Sequence, residues 1–256
     1  MKIGVFDSGV GGLTVLKALR ERYPEVDFVY LGDTARVPYG NRSPQTVIRY
    51  SLECVEFLMG EGVELVVVAC NTASSYALEV LEETLPVPVF GVVEPGVKCA
   101  LKTTKNKKVG VVGTRATVSS GAYKRLLEKE GAEVFQKACP LFVPLVEEGL
   151  IEGEIPKRVV AYYLEDLKES GIDTLILGCT HYPLLKPLIE DFMGPQVKVI
   201  DSAQSTALEI EAHVLREGSA SFELYFTDES PSLGFLIELL LGEPAEYKRV
   251  SLPCKV

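Results

Sequence analysis

The sequence predicts an α/β protein made of two similar domains, each built on a parallel sheet. Three observations lead there. Short apolar runs, in LVVVACNT at 65–72 and TLILGCTH at 174–181, read as strands buried on both faces of a parallel sheet. Segments with apolar residues at helical spacing separate such runs, so strand and helix alternate. The pattern then restarts: KKVGVVGTRAT at 107–117 echoes the opening MKIGVFDSGVG, and GIDTLILGCTHYP echoes GVELVVVACNTAS. The offset is about 106 residues between the opening strands and about 109 between Cys70 and Cys179, the mark of an internal repeat.

Taken in order, Lys2–Phe6 is an apolar strand ending at Asp7-Ser8-Gly9. The loop DSGVGG leads into a helix, LTVLKALRERYP, with Leu13, Leu16, Ala18 and Leu19 inward. Gly9 and Gly11 fit the first two glycines of GxGxxG, but Thr14 stands at the third, and no lysine follows as a phosphate loop requires. A nucleotide site is therefore not expected here. The glycines are expected to let backbone approach a small ligand, with amides at the helix start facing its anionic group.

Asp27–Leu31 is the second strand, followed by the long loop GDTARVPYGNRSP with Tyr39, Gly40 and Asn41. A loop that mixes an aromatic with turn residues is a candidate site loop. Ser43-Pro44 opens a helix with Val47, Tyr50, Cys54 and Phe57 at helical spacing. After the Cys70 strand, Thr72 is expected to cap the helix ASSYALEVLEE, and VPVFGVVEP is read as a strand. The second half repeats the plan. The tail from Thr206 adds a helix, the strand FELYFT, a helix around Phe235–Leu241, and YKRVSL; the residue pattern does not assign it to either domain.

Composition narrows the function. The chain has 256 residues, 47% of them hydrophobic, enough for a sizeable core in one large domain or two ordinary ones. A formal charge of −10 argues against nucleic acid as the main partner. The start MKIGVFD is not a signal peptide, since Asp7 interrupts it, and no apolar run is long enough to cross a bilayer. A soluble cytoplasmic protein with no membrane partner is expected. Six cysteines without dense spacing do not suggest a disulfide framework, and the absence of CxxC, HExxH or clustered Cys/His patterns argues against a metal site.

What remains is the pair of thiols. Cys70 and Cys179 each follow a buried strand and precede Asn-Thr or Thr, at the carboxyl ends of strands where open α/β sheets bind ligands. Hydroxyls accompany them: Ser8, Asn71, Thr72, Ser74 and Ser75 in the first half, Thr114, Thr117 and Thr180 in the second, with Arg115 the main cationic exception. If the halves face each other, a ligand between them meets one thiol on each side. That suits removal of a proton from one face of a carbon and return of a proton to the other, which is racemisation or epimerisation. Ionising a thiol of ordinary pKa at pH 7 costs about 2 kcal/mol. A helix start offsets about 0.3–1 kcal/mol of it, at most about 2. A substrate ammonium or a neighbour such as His181 would supply the rest. Glu147, in FVPLVEEGL, reads equally as a solvated helix-start carboxylate, and His181 as a structural loop residue. Cys99, Cys139, Cys254 and His213 are read as packing or surface residues.

FDSGVGGLTVL, GDTARVPYG, ACNTAS, VGTRATVSSGAY and GCTHYP, in this order over nearly the whole chain, resemble the bacterial glutamate racemases of the cofactor-independent aspartate/glutamate racemase superfamily. The resemblance implies two flavodoxin-like domains, 1–97 plus 207–256 and 98–206, with the active site at their interface and the tail returning to the first domain. It implies interconversion of L- and D-glutamate without pyridoxal phosphate or metal, supplying D-glutamate for peptidoglycan, by a protein that is commonly a homodimer. By position it makes Cys70 and Cys179 the catalytic thiols, Asp7 and His181 assisting groups and Glu147 a supporting carboxylate. Asp7, Ser8, Tyr39, Gly40, Asn71, Thr72, Thr114, Thr117, Thr180 and His181 are then the substrate-binding set. An aspartate racemase, a redox dithiol pair and a noncatalytic small-anion binder are the competing readings.

Overall fold

The computed structural model describes residues 1–252. Among them, ten strands form two sheets in which every pairing is parallel. They are β1 (Lys2–Asp7), β2 (Asp27–Gly32), β3 (Leu65–Val68), β4 (Val89–Gly91), β5 (Lys108–Gly113), β6 (Glu133–Ala138), β7 (Thr174–Gly178), β8 (Lys198–Asp201), β9 (Phe222–Phe226) and β10 (Lys248–Arg249). The first sheet runs β10-β9-β2-β1-β3-β4 and the second β6-β5-β7-β8. The first four strands of each half thus share one order: second, first, third, fourth. β3 and β7 are buried at every position, because helices cover both faces of the sheet and their Leu, Val and Ile side chains meet a layer on either side.

In this order the connections part company between the first and third strands, and ligands bind outside the carboxyl ends there. The turns at those points carry Ser8 and Cys70 in one sheet and Thr114 and Cys179 in the other. Register keeps them level: Phe6 lies beside Val68 at the ends of β1 and β3, and Gly113 beside Gly178 at the ends of β5 and β7.

The tail is decided by pairing that local pattern does not encode. β9 lies along β2, from Phe28 beside Phe222 to Gly32 beside Phe226, and β10 extends it, so the tail completes the first sheet. The helix leading there runs Ser202–Glu209, starting before Thr206, and is capped by Asp201 accepting from Gln204 N at 3.3 Å. Positions 206–207 therefore lie inside a helix, as do 97–98, within Val93–Thr103.

Two other boundaries differ from expectation. The helix after β3 begins at Asn71, capped by Cys70 rather than by Thr72, and breaks at Ala77 into Asn71–Tyr76 and Leu78–Thr84. The strand in VPVFGVVEP stops at Gly91, and the helix Val93–Thr103 takes Pro95 into its first turn, where a missing N–H loses no hydrogen bond. Ser43 does cap its helix, accepting from Thr46 N, with Pro44 at the first helical position.

One hydrophobic core spans both halves. Leu16 and Leu19 of the helix Leu13–Arg22 belong to the same cluster as Leu177, Cys179 and Tyr182, and Tyr23 donates to the Ala207 carbonyl at 2.5 Å. Among the described residues, no helix is long and apolar enough to cross a membrane.

Candidate active site

The facing turns enclose a cavity of about 250 Å³. Ser8, Tyr39, Gly40, Cys70, Asn71 and Thr72 line it from the first half; Thr114, Glu147, Cys179, Thr180 and His181 line it from the second. Asp7 and Thr117 of the expected set stand behind the wall. Arg115 brings a cation to the lining, and Val37, Pro38, Asn41, Pro140, Val143 and Pro144 complete it. Of these six, Val37, Pro38 and Asn41 fall in the candidate loop GDTARVPYGNRSP and Val143 and Pro144 in FVPLVEEGL beside Glu147, and only Pro140 lies outside both. Their only sequence signal is adjacency to Tyr39 and Glu147, because an apolar wall carries no chemical motif.

Cys70 sits at the strand-to-helix step, 5% exposed. Its Sγ donates to Ser8 Oγ at 3.3 Å and accepts from Ala73 N at 3.4 Å. Burial, reinforced by the Asp7 carboxylate, pushes its pKa up to about 12. Ionisation at pH 7 then costs about 7 kcal/mol rather than the 2 of an ordinary thiol, well beyond what a helix start offsets. Cys70 is therefore a thiol at neutral pH.

Cys179 has a different retinue. His181 is 5% exposed, and its Nε2 lies 3.1 Å from Glu147 Oε1. Glu147 is the last residue of the helix Phe142–Glu147, not a helix-start carboxylate, and it faces the histidine. Burial pulls the His181 pKa down, but its interactions with Cys179 and Glu147 prevail and bring it up to about 10. Asp7, 1% exposed, has its pKa raised by burial, against the pull of His181 and of the amides of Gly12, Gly9 and Ser8. Its Oδ2 accepts from Gly9 N at 2.9 Å, and its Oδ1 has no hydrogen-bond partner among the described residues.

The glycine loop serves a different purpose from the one expected. None of Gly9, Gly11 and Gly12 lines the cavity. A Cβ on Gly11 would lie 2.3 Å from Thr180 Oγ1 and 2.4 Å from His181 Nδ1, and one on Gly12 would lie 2.5 Å from Asp7 Cβ. Gly11 lets the Cys179 turn of the other half press against the loop after β1, and Gly12 lets that loop fold back on Asp7. Thr14, the residue that breaks the GxGxxG pattern, ties the same approach: its hydroxyl lies 3.0 Å from the Thr180 carbonyl.

Three hydroxyls close a triangle across the halves: Thr72 to Thr114 at 2.9 Å, Thr72 to Thr117 at 3.1 Å and Thr114 to Thr117 at 3.0 Å. Thr117 thus reaches the cavity only through its two partners. Tyr39 donates its hydroxyl to Asp33, while the residue itself lines the cavity beside Gly40. Asp33 also accepts from Thr227 at 2.9 Å and from Arg36 at 2.7 Å, and Arg36 bonds Glu53 as well. This buried network braces the loop. Ser74 and Ser75 turn inward, bonding the carbonyls of Val68 and Asn71. Cys54 and Cys139 are buried, Cys99 is partly so, and the His213 ring lies tilted against Phe90 at 4.9 Å between ring centres. Cys254 lies outside the described residues.

Known proteins share the sequence and the fold of this chain. A family model described as Asp/Glu/Hydantoin racemase matches residues 11–210. The glutamate racemase of Aquifex aeolicus (strain VF5) is 64% identical over 251 residues, 98% of either chain. The solved glutamate racemase from Aquifex pyrophilus is 63% identical with a TM-score of 0.86, covering 97% of this chain and 98% of that one. The structure of glutamate racemase from Francisella tularensis subsp. tularensis SCHU S4, in complex with D-glutamate, is 34% identical with a TM-score of 0.90, covering 98% and 97%. With two strand-end thiols on one cavity, and sequence and fold in accord with these relatives, the chain belongs to the Asp/Glu/Hydantoin racemase family and, within it, to the glutamate racemases, a family of amino-acid isomerases.

Proposed function

We propose that the chain interconverts L- and D-glutamate by proton transfer between two thiols, without a cofactor. The observation that carries this reading is that Cys70 and Cys179, from opposite halves, line one cavity. For L-glutamate, the Cys179 thiolate takes the α-proton on its face, and the Cys70 thiol gives its proton to the other. Cys179 ends as a thiol and Cys70 as a thiolate, so charge and protons balance, and D-glutamate reacts by the reverse path. The surroundings support this division. Cys70 is protonated at rest, while His181, protonated below its pKa of about 10, offers a positive charge beside Cys179. Glu147 holds His181, and Asp7 adds charge and hydrogen-bonding capacity behind Cys70 and His181.

The hydroxyls of Ser8, Thr72, Thr114 and Thr180, backbone amides of the turns and the Asn71 side chain are the donors for the carboxylates. Donors aimed at the α-carboxylate also stabilise the charge that develops as the α-proton leaves. The same reading takes the division 1–97 plus 207–256 and 98–206 as two domains whose crossings run through helices. It further gives the protein a place in the cytoplasm, as a homodimer, supplying D-glutamate for peptidoglycan.

The test is circular dichroism of purified protein with L-glutamate alone, in wild type, Cys70→Ala and Cys179→Ala. Wild type should bring the signal to zero, and neither variant should. In D₂O, Cys179→Ala could retain slow α-proton exchange only with D-glutamate, and Cys70→Ala only with L-glutamate. Racemisation at near wild-type rate by either variant would show that its missing cysteine is packing.

A further inference from the structure

Tyr123 stands outside the cavity wall yet touches both thiol-bearing turns. It lies on the helix Ala122–Lys129 in the second half and is fully buried. Its hydroxyl crosses to the first half and donates to Asn71 Oδ1 at 2.6 Å, one residue after Cys70. Its ring packs on Gly178, one residue before Cys179, where an added Cβ would lie 3.2 Å from Tyr123 Cε2. The opposite ring edge lies against Gly96, where an added Cβ would stand 3.5 Å from Cε1. Glycines on both sides leave room for the ring and hold it in one place.

The consequence falls on Asn71. This residue lines the cavity and is 3% exposed. With Oδ1 taken by Tyr123, Nδ2 is buried and has no hydrogen-bond partner among the described residues. A buried donor left unpaired is costly, and an amide whose only free valence is a donor matches an anionic oxygen. Burial, reinforced by Cys179, raises the Tyr123 phenol well above its ordinary pKa, so it remains a donor and prefers the oxygen of the amide.

We propose that Tyr123 is a positioning residue of the site: its hydroxyl orients the Asn71 amide with the NH₂ toward the substrate carboxylate, while its ring seats the Gly178–Cys179 turn opposite. The inference rests on the reading of this cavity as the glutamate site. Without the hydroxyl, the amide is free to turn over and present Oδ1, which repels a carboxylate. Loss of one hydrogen bond to a charged group lowers affinity roughly 10- to 100-fold.

The experiment is steady-state racemisation in both directions for wild type, Tyr123→Phe, Asn71→Ala and the double variant, with melting curves alongside. Tyr123→Phe keeps the ring. It should raise KM for both enantiomers about tenfold or more, change kcat much less, and add nothing in the Asn71→Ala background. Asn71→Asp is the second variant: it keeps an acceptor for Tyr123 but has no donor for the cavity, and it should lose affinity as Asn71→Ala does. If Asn71→Ala raises KM while Tyr123→Phe stays within twofold of wild type, or if the two effects multiply, the role of Tyr123 is refuted and the site reading stands. If Asn71→Ala or Asn71→Asp binds glutamate as wild type does, the assignment of Asn71 to the substrate falls, and the proposal with it.

Discussion

Replacing Gly11 by alanine tests whether the glycine loop exists for the other half of the molecule. The added methyl would lie 2.3 Å from Thr180 Oγ1, 2.4 Å from His181 Nδ1 and 2.6 Å from His181 Cε1, where ordinary contact begins at 3.4 Å. Relief requires a displacement of about 1 Å, the difference between 3.4 and 2.3. Thr180 and His181 are each 5% exposed, so neither can swing out into solvent. The shift must go into the turn that holds Cys179, or into the contact between the halves. A misplacement of about 1 Å costs on the order of 100-fold in rate, and overpacking of this kind about 1–3 kcal/mol in stability. The assay is racemisation of L-glutamate by circular dichroism, with urea denaturation to separate the two effects. Gly9→Ala is the internal control, because its nearest neighbour would be Val37 Cγ2 at an ordinary 3.5 Å. Gly11→Ala should lose about two orders of magnitude in kcat while Gly9→Ala keeps nearly all activity. Activity of Gly11→Ala within twofold of wild type would refute the packing argument, and equal damage from Gly9→Ala would point back to a loop that faces the ligand.

Further outcomes follow from the same geometry. Thr72→Val breaks two sides of the Thr72–Thr114–Thr117 triangle, and should cost about 1–3 kcal/mol in urea denaturation as well as weakening glutamate in calorimetry; no change in either measurement contradicts the role given to the triangle. Arg36→Met removes the cation between the buried carboxylates Asp33 and Glu53, and should destabilise by about 3–5 kcal/mol; a midpoint like that of wild type would show that the network does not brace the loop. His181 has a folded pKa of about 10 against 6.5 when unfolded, so the folded state holds a proton that the unfolded chain releases between them. Its contribution is complete below pH 6.5 and is lost as pH rises toward 10. Below pH 9, where the Cys70 thiol is still protonated, wild type should lose stability with rising pH more steeply than His181→Asn. Equal slopes would mean that the histidine is not held protonated.

The sequence by itself determined the class of the fold, the strand-end cysteines and the candidate set around them. Valine- and leucine-rich runs at β3 and β7 can be stable only with cover on both faces, and the helical spacing between them supplies that cover. Ser43-Pro44 announced a helix start because a cap and a preset φ act within four residues. These are local effects, legible in a window of a few positions. The tertiary structure decided whatever depends on residues far apart in the chain. It gave the Tyr39 hydroxyl to Asp33, turned the glycine loop toward Thr180 and His181, laid β9 along β2, and set Tyr123 between Asn71 and Gly178. It also raised the cost of ionising Cys70, because burial and the Asp7 carboxylate act through space. The thiols could be found by reading along the chain, but the burial that raises the Cys70 thiol arises only in the packed molecule, where desolvation and charge are properties of the assembled site rather than of any segment.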